Sequence, residues 1–118
     1  MKKILLISSL IFFNSYNAQS SCSEIIDLAK ANGRSQTFFS PSSEAISQVT
    51  FYDVNIDYNT LHFAIVKFTS NYYKEYIYQV GSNTKMNYSM NYITSAGKSF
   101  WKFIEPYNQN LKCAPNFD

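Results

Sequence analysis

The single histidine, two serine–lysine pairs and one alternating run of acidic and amide side chains are the groups here whose types and spacing suit chemistry. His62 would need partners to bind zinc or to activate a nucleophile, and there is no second histidine. Set in an apolar run, it reads as a hydrogen-bonded structural residue. Ser82-Asn83-Thr84-Lys85 and Ser95-Ala96-Gly97-Lys98 each put a lysine one helical turn beyond a serine, the arrangement by which a lysine can activate a serine. Their companion motifs S-D-N and K-T-G are missing, and so short a spacing arises often by chance. Asp53, Asn55 and Asp57 match the first three ligand positions of an EF-hand calcium loop. Tyr58 then stands where the sharp turn needs Gly, and Ala64 where the bidentate Glu belongs, so the run reads as an Asx-rich turn. There is no carboxylate pair, Gly-rich phosphate loop or CxxC. The expectation is a protein that is not an enzyme and needs neither metal nor cofactor.

Cys22 and Cys113 are the two cysteines, and their reading depends on compartment. Met1-Lys2-Lys3 followed by the apolar run Ile4 to Phe13 has the form of a secretory signal peptide, too short to span a bilayer. Small residues at Ala18 and Ser20 place cleavage after Ser20, giving a leader over residues 1–20. Gln19-Ser20-Ser21 ahead of Cys22 lacks the leucine-like residue of a lipoprotein signal. The protein is therefore expected to be secreted or periplasmic, where the two thiols can pair as a Cys22–Cys113 disulfide. Loss of Lys2 and Lys3 with the leader balances basic against acidic residues. A neutral chain with no Lys/Arg run has no electrostatic footprint for nucleic acid or membrane.

The surplus is aromatic: 10 Tyr, 10 Phe and 1 Trp in 118 residues. Phe63, Phe68, Phe100 and Phe103 read as core. Tyr76 and Tyr78 fall on one strand face, roughly 7 Å apart, with Lys74 next along it, a spacing that could hold planar groups. The preferred reading is that both rings pack under helices with their hydroxyls bonded, as anchors of the fold.

The elements that must position these groups follow from periodicity. Leu61 to Phe68 is apolar on both alternating faces and reads as a central strand covered twice. Residues 73–80 form the next strand across Thr69-Ser70-Asn71, and 45–52 the one before. An N-terminal helix over 22–32 opens with Ser21 and Glu24 at capping-box spacing and stops at Asn32-Gly33, carrying Ile25, Ile26 and Ala29 toward the sheet. Residues 34–43 read as a linker pinned by Phe38-Phe39. Two further helices are expected, over 83–94 from a Ser82 cap and over 98–104 up to Pro106, followed by an extended tail. The fold class is α+β: a three-stranded antiparallel sheet with an N-terminal helix and two C-terminal ones.

Ser42-Ser43 with Ile46 and Val49, Phe51-Tyr52 before Asp53, the central strand, Tyr76-Ile77-Tyr78, and Ser95-Ala96-Gly97-Lys98-Ser99-Phe100 with Ile104 occur in that order. This order resembles the KTSC domain, a module named for the C-terminus of some lysyl-tRNA synthetases. The resemblance covers residues 42–107, with residues 21–41 an added helix and linker and 108–118 an added tail. Gly81-Ser82 stands where the family tends to have Pro. The resemblance implies a small sheet covered by helices, without known activity and with a suggested role in RNA binding. It also adds Lys98 to Tyr76, Tyr78 and Lys74 as a candidate ligand contact. The expected function is an exported binding module whose partner is a protein or envelope component of unknown identity. RNA or single-stranded nucleic acid is the alternative, disfavoured by the neutral mature charge.

Overall fold

The computed structural model describes residues 14–115, with side chains from Ser21 onward. Most of the expected leader, residues 1–13, lies outside the described residues. The fold is α+β, built on a four-stranded antiparallel sheet in the order β1-β2-β3-β4. The strands are β1 (Arg34–Phe39), β2 (Ile46–Ile56), β3 (Asn59–Phe68) and β4 (Asn71–Val80). Helix α1 (Asn14–Asn32) precedes them, and α2 (Thr84–Asn91), α3 (Ala96–Phe103), a 3-10 turn (Glu105–Tyr107) and the short α4 (Asn108–Leu111) follow.

β3 is covered on both faces, as its sequence requires. Phe63 and Ile65 join Val54, Ile77 and Ala29 in one core cluster under α1. Ala64 and Val66 join Ile46, Val49, Phe51, Tyr78, Tyr88, Phe100 and Ile104 in the other, under α2 and α3. The connection into β3 is tighter than the expected turn from Asp53 to Thr60. Only Asp57 and Tyr58 turn, both with positive φ (50° and 70°), which matches the twist of the flanking strands. Asp53 and Asn55 therefore sit in β2, opposite His62 and Thr60, instead of converging on a common centre.

The sheet has one strand more than expected. Residues 34–39, read as a linker, pair with β2 from Arg34 opposite Asp53 to Phe39 opposite Gln48. Phe38 sets its ring against Phe51, Tyr88 and Tyr92, and the Thr37 and Thr50 hydroxyls hydrogen-bond at 2.8 Å. At an edge, a single inward aromatic and one hydroxyl pair suffice to hold a polar strand.

The helices keep their places but differ at their ends. α1 runs through Ser21, so the Ser21–Glu24 spacing is mid-helix and caps nothing. It ends as expected, the Gly33 N–H donating to the Ala29 carbonyl (2.8 Å). α2 starts after Asn83, not Ser82, without a side-chain cap; the Thr84 hydroxyl instead accepts the Gly81 N–H (3.1 Å). It turns Tyr88 into the core and leaves Met86 and Met90 exposed on the opposite side; it ends at Asn91, short of the expected 94, so Ile93 lies in the following turn, also exposed. α3 starts earlier than expected and includes Gly97, with Ser95 capping the Lys98 N–H.

The tail is not extended. It coils through α4 to Lys112, in a left-handed conformation (φ 57°), and the Asn108 amide holds both the N–H and the carbonyl of Ala114. Cys113 is bonded to Cys22, 91 residues apart in sequence, with Cα atoms 5.7 Å apart. Closing a loop of that length stabilises by about 2–4 kcal/mol. Among the described residues no helix is long and apolar enough to cross a membrane.

Candidate functional site

β4 enters the sheet from a two-residue link, and its first four residues are exposed. There Tyr72 and Tyr73 stack on each other, ring centroids 4.6 Å apart and planes 22° off parallel. Tyr73 is 85% exposed. Two hollows open beside them. The larger, about 820 Å³, runs between β4, the second half of α1 and the C-terminal segment; Ser23, Asp27, Lys30, Tyr73, Lys74 and Glu75 line it together with the disulfide and Lys112. The smaller, about 300 Å³, is apolar, formed by Ile46, Phe68, Phe100, Trp101 and Asn71. Tyr76 and Pro115 border both hollows and form the ridge between them.

Charge is distributed unevenly in the larger hollow. Lys30 makes a two-pronged ion pair with Glu75 (2.8 and 2.9 Å) that ties α1 to β4. The Glu75 hydrogen bond holds the Lys30 amine above its ordinary range, against a smaller opposing effect of burial. Lys74 reaches over the Tyr76 ring, 5.8 Å from its centroid, a cation–π contact. The result is an open surface of tyrosine faces and lysines beside a largely apolar pocket.

Of the residues singled out in the sequence, Lys74 and Tyr76 come together here. Tyr78 does not. It is 1% exposed, wedged against Phe100 (5.7 Å) beneath α3, so it belongs to the core and cannot stack on a ligand. Its hydroxyl has no hydrogen-bond partner among the described residues; the expected bonded hydroxyl is absent. Burial pushes the phenols of Tyr78 and Tyr88 well above their ordinary range. Lys98 is exposed on α3 and lines a separate shallow hollow with Asn91, Thr94, Ser95 and Lys102. Tyr72, Tyr73 and Lys112 were missed. The first two directly follow the polar link before β4, where an aromatic pair has nothing to pack against.

His62 is hydrogen-bonded, as expected. Its Nδ1 lies 2.8 Å from Asp53 Oδ1, and Lys85 Nζ lies 3.5 Å from Asp53 Oδ2. Partial burial raises the Asp53 carboxyl, but the His62 hydrogen bond and the Lys85 charge outweigh it and hold the group below the usual carboxylate range. Lys85 is thereby paired with Asp53, and the Ser95 hydroxyl accepts the Lys98 backbone N–H (3.2 Å). Among the described residues no three His, Cys, Asp or Glu side chains group to hold a metal.

The Ser42-Ser43 and Ser95-Ala96-Gly97 segments, far apart in sequence, face each other across a third hollow of about 540 Å³. Their hydroxyls are used locally: Ser43 Oγ accepts the N–H groups of Ala45 and Ile46, and Ser95 caps α3. A Cβ at Gly97 would meet the Ala45 methyl at 3.4 Å, an ordinary van der Waals contact. No family model matches the chain, and no curated protein or solved structure is similar to it.

Proposed function

We propose that this protein is an exported, non-enzymatic binding module that captures a component of the cell envelope, a glycan or a protein segment, in the double hollow beside β4. The observation that carries the reading is the stacked, exposed pair Tyr72–Tyr73 beside Lys74 and Tyr76, with polar and apolar pockets on either side of the Tyr76 ridge. Aromatic faces hold planar or ring-shaped groups, and the neighbouring lysines fix a polar end. Export rests on the leader and agrees with the Cys22–Cys113 bond. Cleavage after Ser20 leaves Cys22 and the packing residues Ile25, Ile26 and Ala29 of α1 in place. Kinship with the KTSC domain belongs to the same reading, in which Ser43 and Ser95, two of the residues that carry the resemblance, serve the turn before β2 and the cap of α3.

Titration of the disulfide-bonded protein with envelope glycans and envelope proteins tests it. Tyr73→Ala is expected to weaken binding by about tenfold without lowering thermal stability. Hydrolytic turnover that disappears on substitution of His62 or a serine would replace this reading with an enzymatic one.

RNA is the second reading, favoured by the same two rings lying next to Lys74. It requires affinity that falls steeply with salt and on Tyr72→Ala. Salt-independent or undetectable RNA binding removes it.

A further inference from the structure

The two edges of the sheet are finished differently: among the described residues, β4 has the C-terminal segment laid beside it and β1 has β2 as its one strand neighbour. The Asn110 side-chain amide donates to the Gln79 carbonyl (2.8 Å), and the segment from α4 to Cys113 is stapled alongside β4 by the disulfide. β1 has few of the devices that protect an edge. It contains no proline, its pairing with β2 has no bulge, and Ser35 and Gln36 are exposed. Its one charge, Arg34, is at its first residue. Among the described residues no strand lies beyond it.

The direction of its free backbone groups follows from one hydrogen bond. The Ser40 N–H donates to the Ser47 carbonyl (3.0 Å), and Ser40 continues the register in which Phe39 faces Gln48. Backbone direction alternates along a strand. Phe38, Gln36 and Arg34 therefore bond to β2, while the N–H and C=O of Phe39, Thr37 and Ser35 point away from the sheet.

We propose that β1 pairs antiparallel with β1 of a second copy of this chain, about a twofold axis at Thr37 and normal to the sheet. Such an axis reverses strand direction and keeps faces, so opposed residues must share a face and both point their backbone groups outward. Centring on Thr37 satisfies all three outward residues at once: Thr37 faces Thr37, and Ser35 faces Phe39 of the other copy. Arg34 then faces Ser40, and the two arginines lie at opposite ends, so no like charges meet. Phe39, 63% exposed in the single chain, gains a neighbour. Because the other edge is occupied by the C-terminal segment, the pairing closes at two copies and does not propagate. The joined sheet has four strands from each copy, with α2 and α3 of both on one side. This inference is independent of the ligand proposed for the β4 hollows.

Sedimentation of the purified disulfide-bonded protein over a wide concentration range is expected to show two chains at high concentration. Thr37→Pro removes the central outward N–H without touching a bond to β2, and Phe39→Lys sets a charge opposite Ser35. Each is expected to weaken pairing by at least about tenfold, and Phe39→Lys tests the surface if Thr37→Pro folds poorly. Amide hydrogen exchange reads the register. Ser35, Thr37 and Phe39 should become protected only as concentration rises, while Gln36 and Phe38 are protected throughout. A single chain at every concentration overturns the proposal, as does a dimer that survives both variants, growth beyond two copies, or protection of Thr37 only on adding another protein's peptide.

Discussion

β1 and β4 are edges of one sheet, yet one is held by a single neighbour and the other by a covalently anchored segment. β1 bonds to β2 and lends Phe38 to the core. β4 is flanked by α4 and the 3-10 turn, tied to α1 through Lys30–Glu75, and closed at the Cys22–Cys113 bond. The disulfide thus does more than shorten the unfolded chain: it also holds a segment of poor helical length against a strand that would otherwise expose its backbone. Where the staple leaves space, beside the first residues of β4, the hollows with the exposed tyrosines open. The covered edge becomes a candidate ligand site, whereas the bare edge is left to a strand from outside.

The largest test of this contrast is removal of the staple. Cys22→Ser with Cys113→Ser is expected to cost about 2–4 kcal/mol in denaturant unfolding, and amide exchange along β4 should rise while β1 keeps its pattern. Equal loosening of both edges would show that the disulfide acts on the whole domain and not on β4.

Gly33→Ala probes the other edge and should cost about 1–3 kcal/mol. A Cβ there would meet the Ala29 carbonyl at 2.7 Å and the side chains of Tyr52 and Val54 at 3.1 Å. The backbone carbonyl cannot swing aside, so the start of β1 must move off β2. Thermal unfolding measures the loss, and faster exchange confined to Arg34 and Gln36 would place it at this edge.

The same contrast explains what could be read in advance. β3 announces itself because Leu61, Phe63 and Ile65 alternate with Ala64, Val66 and Phe68, and each set found its own core. β1 was invisible because an edge strand buries little: Arg34, Ser35 and Gln36 are all exposed, and Phe38 alone does not establish a period. Alternation put Tyr76 and Tyr78 on one face correctly, but nothing local says which face two helices will cover. They cover that one, so Tyr78 is core while Tyr76, nearer the strand's open start, borders the hollows. The thiol pairing was legible from compartment chemistry; the coiled path of the tail to Cys113 was not, because it depends on the Asn108 and Asn110 amides finding backbone far from the periodic elements.

A smaller effect is expected from acid. Asp53 lies in β2 between Arg34 of β1 and His62 of β3, and its carboxyl titrates below the usual range. A group with a depressed folded-state pKa stabilises fully above its unfolded value, near 4, and that contribution disappears as pH falls through the folded value. Wild type should therefore lose stability more steeply below about pH 4 than Asp53→Asn does. Parallel acid curves would mean that the His62 and Lys85 contacts do not couple to folding.

The smallest effect belongs to the covered edge. Lys30→Ala breaks the ion pair from α1 to β4, but Lys30 and Glu75 are 44% and 25% exposed, and a solvated pair of this kind contributes about 0.2–1 kcal/mol, less at high salt. Unfolding of Lys30→Ala at low and high salt should converge on wild type as salt rises. A loss near that of the cysteine variant, independent of salt, would instead make the Lys30 stem, lying along the hollow beside Ile26 and Tyr76, part of what holds β4 in place. The covered edge would then owe its closure to packing as much as to the disulfide.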